Sequence, residues 1–139
     1  MEAFTEHLGG ALKFRAQVVA HLLVADLVDL PCYDKMKSVC RVYFWEPRSN
    51  DWFGGHAHTE GQEIYVVQLG VVEVRLSDGV NQENLALFKG DCLFIPTMLW
   101  HEVRGGAMVV MSDVEYNREK YYIGDFDLFC KNIKKFRKS

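Results

Sequence analysis

A chain of 139 residues with 49% hydrophobic and 25% charged content is long enough to bury one sizeable core and too apolar for a disordered segment. Its formal net charge of −3 excludes the overall basic field of a nucleic-acid-binding domain. Cys32, Cys40, Cys92 and Cys130 make no CxxC pair, and the start "MEAFTEH" is acidic where a signal peptide is basic; both point to reduced thiols in a cytoplasmic protein.

In chain order, the segment 1–35 admits two readings, a helix or an added edge strand. Its apolar run "AQVVAHLLVADLVDL" is interrupted by His21, Asp26 and Asp29 and is too short to span a bilayer. A strand is predicted over 39–46, "VCRVYFWE". Next comes "GGHAHTEGQE", where "TEGQ" (59–62) reads as a hairpin turn between a strand ending at His58 and one starting at Glu63. Short β-branched and aromatic runs follow: "EIYVVQL" (63–69), "VVEVRL" (71–76), "NLALF" (84–88), "CLFI" (92–95) and "AMVVMS" (107–112). Gly70, "SDG" (77–79), "KGD" (89–91), Pro96 and "RGG" (104–106) punctuate them. Val72, Val74 and Leu76 alternate with Glu73 and Arg75, so that strand has one wet face. Short strands at this spacing predict an all-β antiparallel sandwich or barrel. Phe126, Phe129, Ile133 and Phe136 then recur at helical spacing and predict a C-terminal helix laid against it. The cationic end "KNIKKFRKS" suits the negative end of a helix dipole.

The chemistry concentrates around the Gly pair. On a strand, His56 and His58 point to one face, and the turn at 59–62 can bring Glu63 back beside them. A third histidine, His101, ends "GDCLFIPTMLWH". A lone histidine is more often a satisfied core residue than a ligand. Here the set resembles the cupin superfamily: "HAHTEGQEIYVVQLG" follows its H-x-H-x4-E-x6-G motif, and Gly90 to His101, with Pro96 between, follows its second motif. In cupins this tetrad faces the inside of the barrel. The resemblance implies a candidate metal set of His56, His58, Glu63 and His101, whose imidazoles and carboxylate suit a divalent transition metal.

A closer resemblance is carried by "GGHAHTEGQEIYVV", "VRLSDG", "LWHE" and "MSDVEYNREKYYIGDFDLF", which are similar to the sugar nucleotide 3,4-ketoisomerases and WxcM-like C-terminal domains. It implies an antiparallel jelly-roll cupin barrel over 36–115 and an extension with a helix over 116–139. Residues 1–35 are then expected at the interface of a homodimer. It also implies an isomerase that shifts a ketone between C4 and C3 of a dTDP-4-keto-6-deoxyhexose and requires no cofactor. His56 and His58 would be the acid–base pair. Arg41 and Tyr43 would hold diphosphate or sugar hydroxyls, and Trp100 would stack on a base or sugar. No nucleic acid or membrane is expected as a partner. Two positions depart from the family: Phe53 stands where an arginine is usual, and Glu63 where a glutamine is usual. They leave open a metal-dependent cupin enzyme on another small molecule, or a non-catalytic cupin that binds a small ligand.

Overall fold

The segment that admitted two readings forms short strands, joined in part by a 3-10 turn, where it is described. The computed structural model describes residues 4–19, 22–24, 39–46, 49–115 and 117–138. In it β1 (Phe4–Glu6) and β2 (Leu12–Arg15) pair antiparallel across a 3-10 turn at Leu8–Gly10, and β3 (Gln17–Val19) pairs with β4 (Leu22–Val24). His21, Asp26, Asp29 and Cys32 lie outside the described residues.

The strands predicted from alternation follow as β5 (Arg41–Trp45), β6 (Phe53–His58), β7 (Glu63–Leu69), β8 (Val71–Ser77), β9 (Gln82–Phe88), β10 (Asp91–Ile95), β11 (Trp100–Arg104) and β12 (Ala107–Ser112). After them come α1 (Arg118–Tyr121), β13 (Tyr122–Ile123) and α2 (Phe126–Lys138). Two antiparallel sheets face each other, one in the order β1-β2-β10-β7-β12-β5 and the other β13-β6-β11-β8-β9. This is the all-β barrel that the spacing predicts.

Between the sheets, Val67, Val72, Val74, Leu76, Leu87, Leu93, Ile95 and Val110 are fully buried. Each such side chain contributes about 1.5–3 kcal/mol when removed from water. The wet face of β8 is also as expected: Glu73 pairs with Arg104 at 2.6 Å and Arg75 with Glu102 at 3.0 Å. The six-stranded sheet is apolar on both faces. Ile64, Cys92 and Phe94, which alternate with its inward residues, pack with Leu12 and Phe14 on the far side. On the outside of the other sheet, Phe129 and Ile133 of α2 bury against Ala57, Trp100 and Ile123. The outer members of the predicted helical stripe, Phe126 and Phe136, remain exposed. Among the described residues no helix is long and apolar enough to cross a membrane, and Cys40, Cys92 and Cys130 are free thiols.

One expectation is corrected. Residues 59–62 do not make a hairpin: β6 belongs to the five-stranded sheet and β7 to the six-stranded one. The turn carries the chain across the barrel from one sheet to the other. Gly61 permits it with a φ of 91°, and a Cβ there would run into Val114. Glu63 nevertheless arrives opposite the histidines, because the crossing is short.

Candidate active site

The Gly pair before the histidines is a bulge. His101 of β11 is opposite His56, whereas Val103 is opposite Phe53, so Gly54 and Gly55 together face Glu102 alone. Gly54 has a φ of 76°, and a Cβ on Gly55 would stand 3.2 Å from Trp100 and 3.3 Å from Glu102. Glycine therefore lets β6 bend and lie close to β11, which aims His56 and His58 into the barrel beside His101. The far end of β6 is tied down by the Met98 amide, which donates to the His58 carbonyl at 2.8 Å, and by pairing of Tyr122 with His58.

Four ligand-type atoms converge. One from each of His56, His58, Glu63 and His101 lie within 4.8 Å of one another. The His56 and His58 rings stack at 4.8 Å, with His101 edge-on to them at 4.6 and 5.0 Å. Glu63 Oε1 lies 3.5 Å from Nε2 of both His58 and His101. Those three buried atoms have no hydrogen-bond partner among the described residues. His101 Nδ1 donates to the Leu99 carbonyl at 3.0 Å, so its Nε2 presents a lone pair to the cluster. Tyr43 donates to the other oxygen of Glu63 at 2.9 Å. Arg41 lies 3.7 Å from that oxygen and 3.3 Å from the Tyr122 hydroxyl.

Electrostatics set the protonation states. Burial, then His101 and His58, push the His56 imidazole down to about 2. Burial also brings His58 down to about 4, with Glu63 opposing. Burial pushes the Glu63 carboxyl up, but the close approach of His101, the field of His58, and the hydrogen bond from the Tyr43 hydroxyl outweigh it and hold it at about 2. Burial and the carboxylate raise the Tyr43 phenol, which stays protonated. At neutral pH the site thus holds two neutral imidazoles on β6 beside an ionised carboxylate.

A cavity of about 510 Å³ opens over this cluster, lined by Arg41, Tyr43, Phe53, His56, Arg118 and Tyr122 and floored by Gly54–Gly55. Of the residues singled out in the sequence, the fold gathers Arg41, Tyr43, His56, His58, Glu63 and His101. Trp100 is the exception and is corrected. Its neighbour His101 points inward, so strand alternation turns Trp100 outward, where it packs on Phe126 and Phe129 at 5.2 and 5.7 Å. Its Nε1 donates to Glu102 at 3.2 Å, and it does not line the cavity. Two cavity residues escaped the sequence reading. Tyr122 stacks on His56 and His58 at 4.5 and 4.7 Å, and Arg118 reaches the rim from α1. Both arrive from a segment with no periodic signal, far along the chain from the histidines.

Two facing antiparallel sheets with a histidine–carboxylate cluster aimed inward make this a cupin. Residues 34–134 match the family described as FdtA: WxcM-like, C-terminal, and the chain belongs to that family. No curated protein matches it. Among solved structures it is similar to QdtA, a sugar 3,4-ketoisomerase from Thermoanaerobacterium thermosaccharolyticum in complex with TDP. That match has a TM-score of 0.80 at 21% identity, over 93% of this chain and 98% of that one. A 3,4-ketoisomerase from Helicobacter canadensis matches with a TM-score of 0.74 at 27% identity, over 89% and 96% of the two chains. The WlaRB TDP-quinovose 3,4-ketoisomerase from Campylobacter jejuni matches with a TM-score of 0.75 at 21% identity, over 90% and 100%.

Proposed function

We propose that this protein is a sugar nucleotide 3,4-ketoisomerase that moves the ketone of a dTDP-4-keto-6-deoxyhexose from C4 to C3. The observation that carries the reading is the pair of neutral imidazoles stacked on one face of β6 at 4.8 Å, beneath a cavity walled by arginines. Membership of the FdtA family and likeness to three 3,4-ketoisomerases support the substrate class.

The reaction conserves every atom. A base removes the C3 proton, the electron pair forms the C3–C4 double bond, and the ketone oxygen gains a proton, giving an enediol. Loss of the O3 proton and protonation at C4 then leave the 3-ketone. A neutral imidazole accepts in the first half, and an imidazolium donates in the second. His56, which lines the cavity, takes the C3 proton, and His58 serves the neighbouring carbon. Burial keeps both rings in the basic form in the free protein. Negative charge developing on the substrate oxygen raises their proton affinity as the reaction proceeds. Arg41 and Tyr43 hold substrate oxygens. Incubation with TDP-4-keto-6-deoxyglucose in heavy water should exchange the C3 proton and yield the 3-keto isomer. His56→Asn and His58→Asn should each slow this by about 100-fold or more. A folded protein that leaves C3 unexchanged overturns the reading.

Glu63 favours a second reading. Its Oε1 atom and the Nε2 atoms of His58 and His101 are buried, convergent and without a hydrogen-bond partner among the described residues, and their donor types suit a divalent transition metal. With His56 they would hold such an ion, which would supply Lewis acidity toward an enediolate. Metal analysis of protein purified without chelator separates the two: about one ion per chain, lost in His58→Ala, selects the metal-dependent enzyme.

The free thiols among the described residues support a cytoplasmic location, and the proposal includes a two-fold dimer in which residues 1–35 contribute to the interface. The exposed Val42 and Phe44 on edge strand β5 support association. Light scattering that returns the mass of one chain would overturn the dimer.

A further inference from the structure

The described arginine side chains differ in how their charge is balanced. Arg15, Arg75 and Arg104 each lie within 3.0 Å of a carboxylate, at 2.6, 3.0 and 2.6 Å. Arg41 faces Glu63 at 3.7 Å, its ring-stacking partner is Tyr43 at 4.8 Å, and it is largely buried. Arg118 differs from all of them. Among the described residues no carboxylate lies within ion-pair distance of it, and it is exposed at the wall of the site cavity.

Its position is nevertheless fixed. Asn117 caps α1 by accepting from the Lys120 amide at 3.0 Å, and Tyr121 is buried beneath the turn. The Tyr121 carbonyl accepts from the Thr59 amide at 2.8 Å, and β13 continues by pairing with β6. This short segment is therefore anchored to the strand that carries His56 and His58. It places an uncompensated guanidinium on the same cavity as His56. Among the described residues no aspartate or glutamate lines that cavity; Arg41 is balanced by Glu63 behind it, and the charge of Arg118 at the wall is left without a carboxylate partner. A guanidinium in such a place matches the paired oxygens of a phosphate.

We infer that Arg118 is the diphosphate-binding residue of this site, and that it orients a nucleotide-linked substrate with its sugar toward His56 and its phosphates toward α1. The assignment rests on the nucleotide-sugar reading above. It divides the labour between the two arginines. Arg41 is engaged with Glu63 and Tyr122 and holds the reacting end, whereas Arg118 has its full donor set open for the ligand's charge. It also gives the 117–123 segment a role in recognition, on a chain whose β6 carries Phe53 at the cavity wall in place of a charged residue.

Titration calorimetry with TDP, inorganic pyrophosphate and thymidine on the full chain tests this. Loss of one charge-assisted contact should weaken TDP and pyrophosphate roughly ten-fold or more in Arg118→Ala and Arg118→Gln, and leave thymidine unchanged. Arg118→Lys should fall between, because it keeps the charge and loses the fork. The salt dependence of TDP binding should flatten in the Ala and Gln variants. Because Arg118 is exposed, melting temperatures should match that of the unsubstituted protein. TDP binding in either neutral variant within two-fold of the unsubstituted protein overturns the assignment of Arg118 and leaves the nucleotide-sugar reading standing. Failure of the unsubstituted protein to bind TDP overturns both. An equal loss of thymidine and TDP assigns Arg118 to the nucleoside and overturns its role at the phosphates.

Discussion

The two faces of the ribbon formed by β6 and β11 carry opposite kinds of residue, one position apart. Inward are His56, His58 and His101, polar and crowded, with both His58 nitrogens and His101 Nε2 buried and without a hydrogen-bond partner among the described residues. Outward are Ala57 and Trp100, apolar, covered by Phe129 and Ile133 of α2. The same backbone therefore serves two purposes divided by strand parity. One face has hydrogen-bonding capacity left open for a ligand, and the other, at Ala57 and Trp100, is removed from water beneath α2. The difference teaches where stability and chemistry should separate under mutation.

The largest effect belongs to the outward face. Phe129 is fully buried at the centre of the helix contact. Phe129→Ala should cost about 3–5 kcal/mol of unfolding free energy, the usual range for an aromatic removed from a core. The fraction that remains folded should keep its histidine chemistry. Chemical denaturation with activity measured on the same samples checks both halves. A loss below about 1 kcal/mol would mean that the helix is only loosely docked, and the division between faces would fail.

The inward face should show itself in acid. His58 has a folded-state pKa of about 4, below the unfolded value near 6.5. Between those pH values the unfolded chain binds more protons, so stability falls as pH falls through that window. At 1.36 kcal/mol for each pH unit, the loss from this one ring reaches roughly 3 kcal/mol by pH 4. Glu63, held at about 2, adds a second loss as pH drops below the ordinary carboxylate range. Metal-free protein kept in chelator should therefore begin to lose its urea midpoint near pH 6.5. His58→Asn should reduce the slope between pH 6.5 and 4. Identical slopes in the two proteins would show that His58 is not held neutral by burial.

Much of this division is legible in the residues themselves. His-Ala-His puts two rings on one face whatever the surroundings, and the adjacent pair Trp100–His101 already requires one of the two to point away. That adjacency is the signal that would have removed Trp100 from the substrate-binding candidates. The crossing at 59–62 is legible only as a turn, because which sheet the next strand joins depends on pairing with β10 and β12, which lie far along the chain. Tyr122 and Arg118 reach the cavity through the docking of α1 and β13 on β6, a tertiary contact with no local period to announce it. The first segment shows strand where its hydrophobicity allowed helix, because β2 completes a sheet edge beside β10.

The smallest effect sharpens the comparison by leaving the helix out of it. Beyond the reach of α2, the outward face of the same sheet carries a charged ladder, with Arg104 paired to Glu73 and stacked 4.5 Å from the Trp52 ring. Both partners of the ion pair are about half exposed, so water and salt screen their attraction and their side chains lose freedom in forming it. Arg104→Ala should cost less than about 1 kcal/mol, and most of that should vanish in 1 M salt, where the screening length is about 3 Å. Arg104→Met keeps the apolar stem over Trp52 and should recover part of the difference at low salt. Urea denaturation of the three proteins at two salt concentrations measures this. A loss above about 2 kcal/mol that salt leaves unchanged would mean that the ladder holds the sheet as firmly as the helix does. Outward stability would then come from strand parity alone, without the cover that α2 supplies.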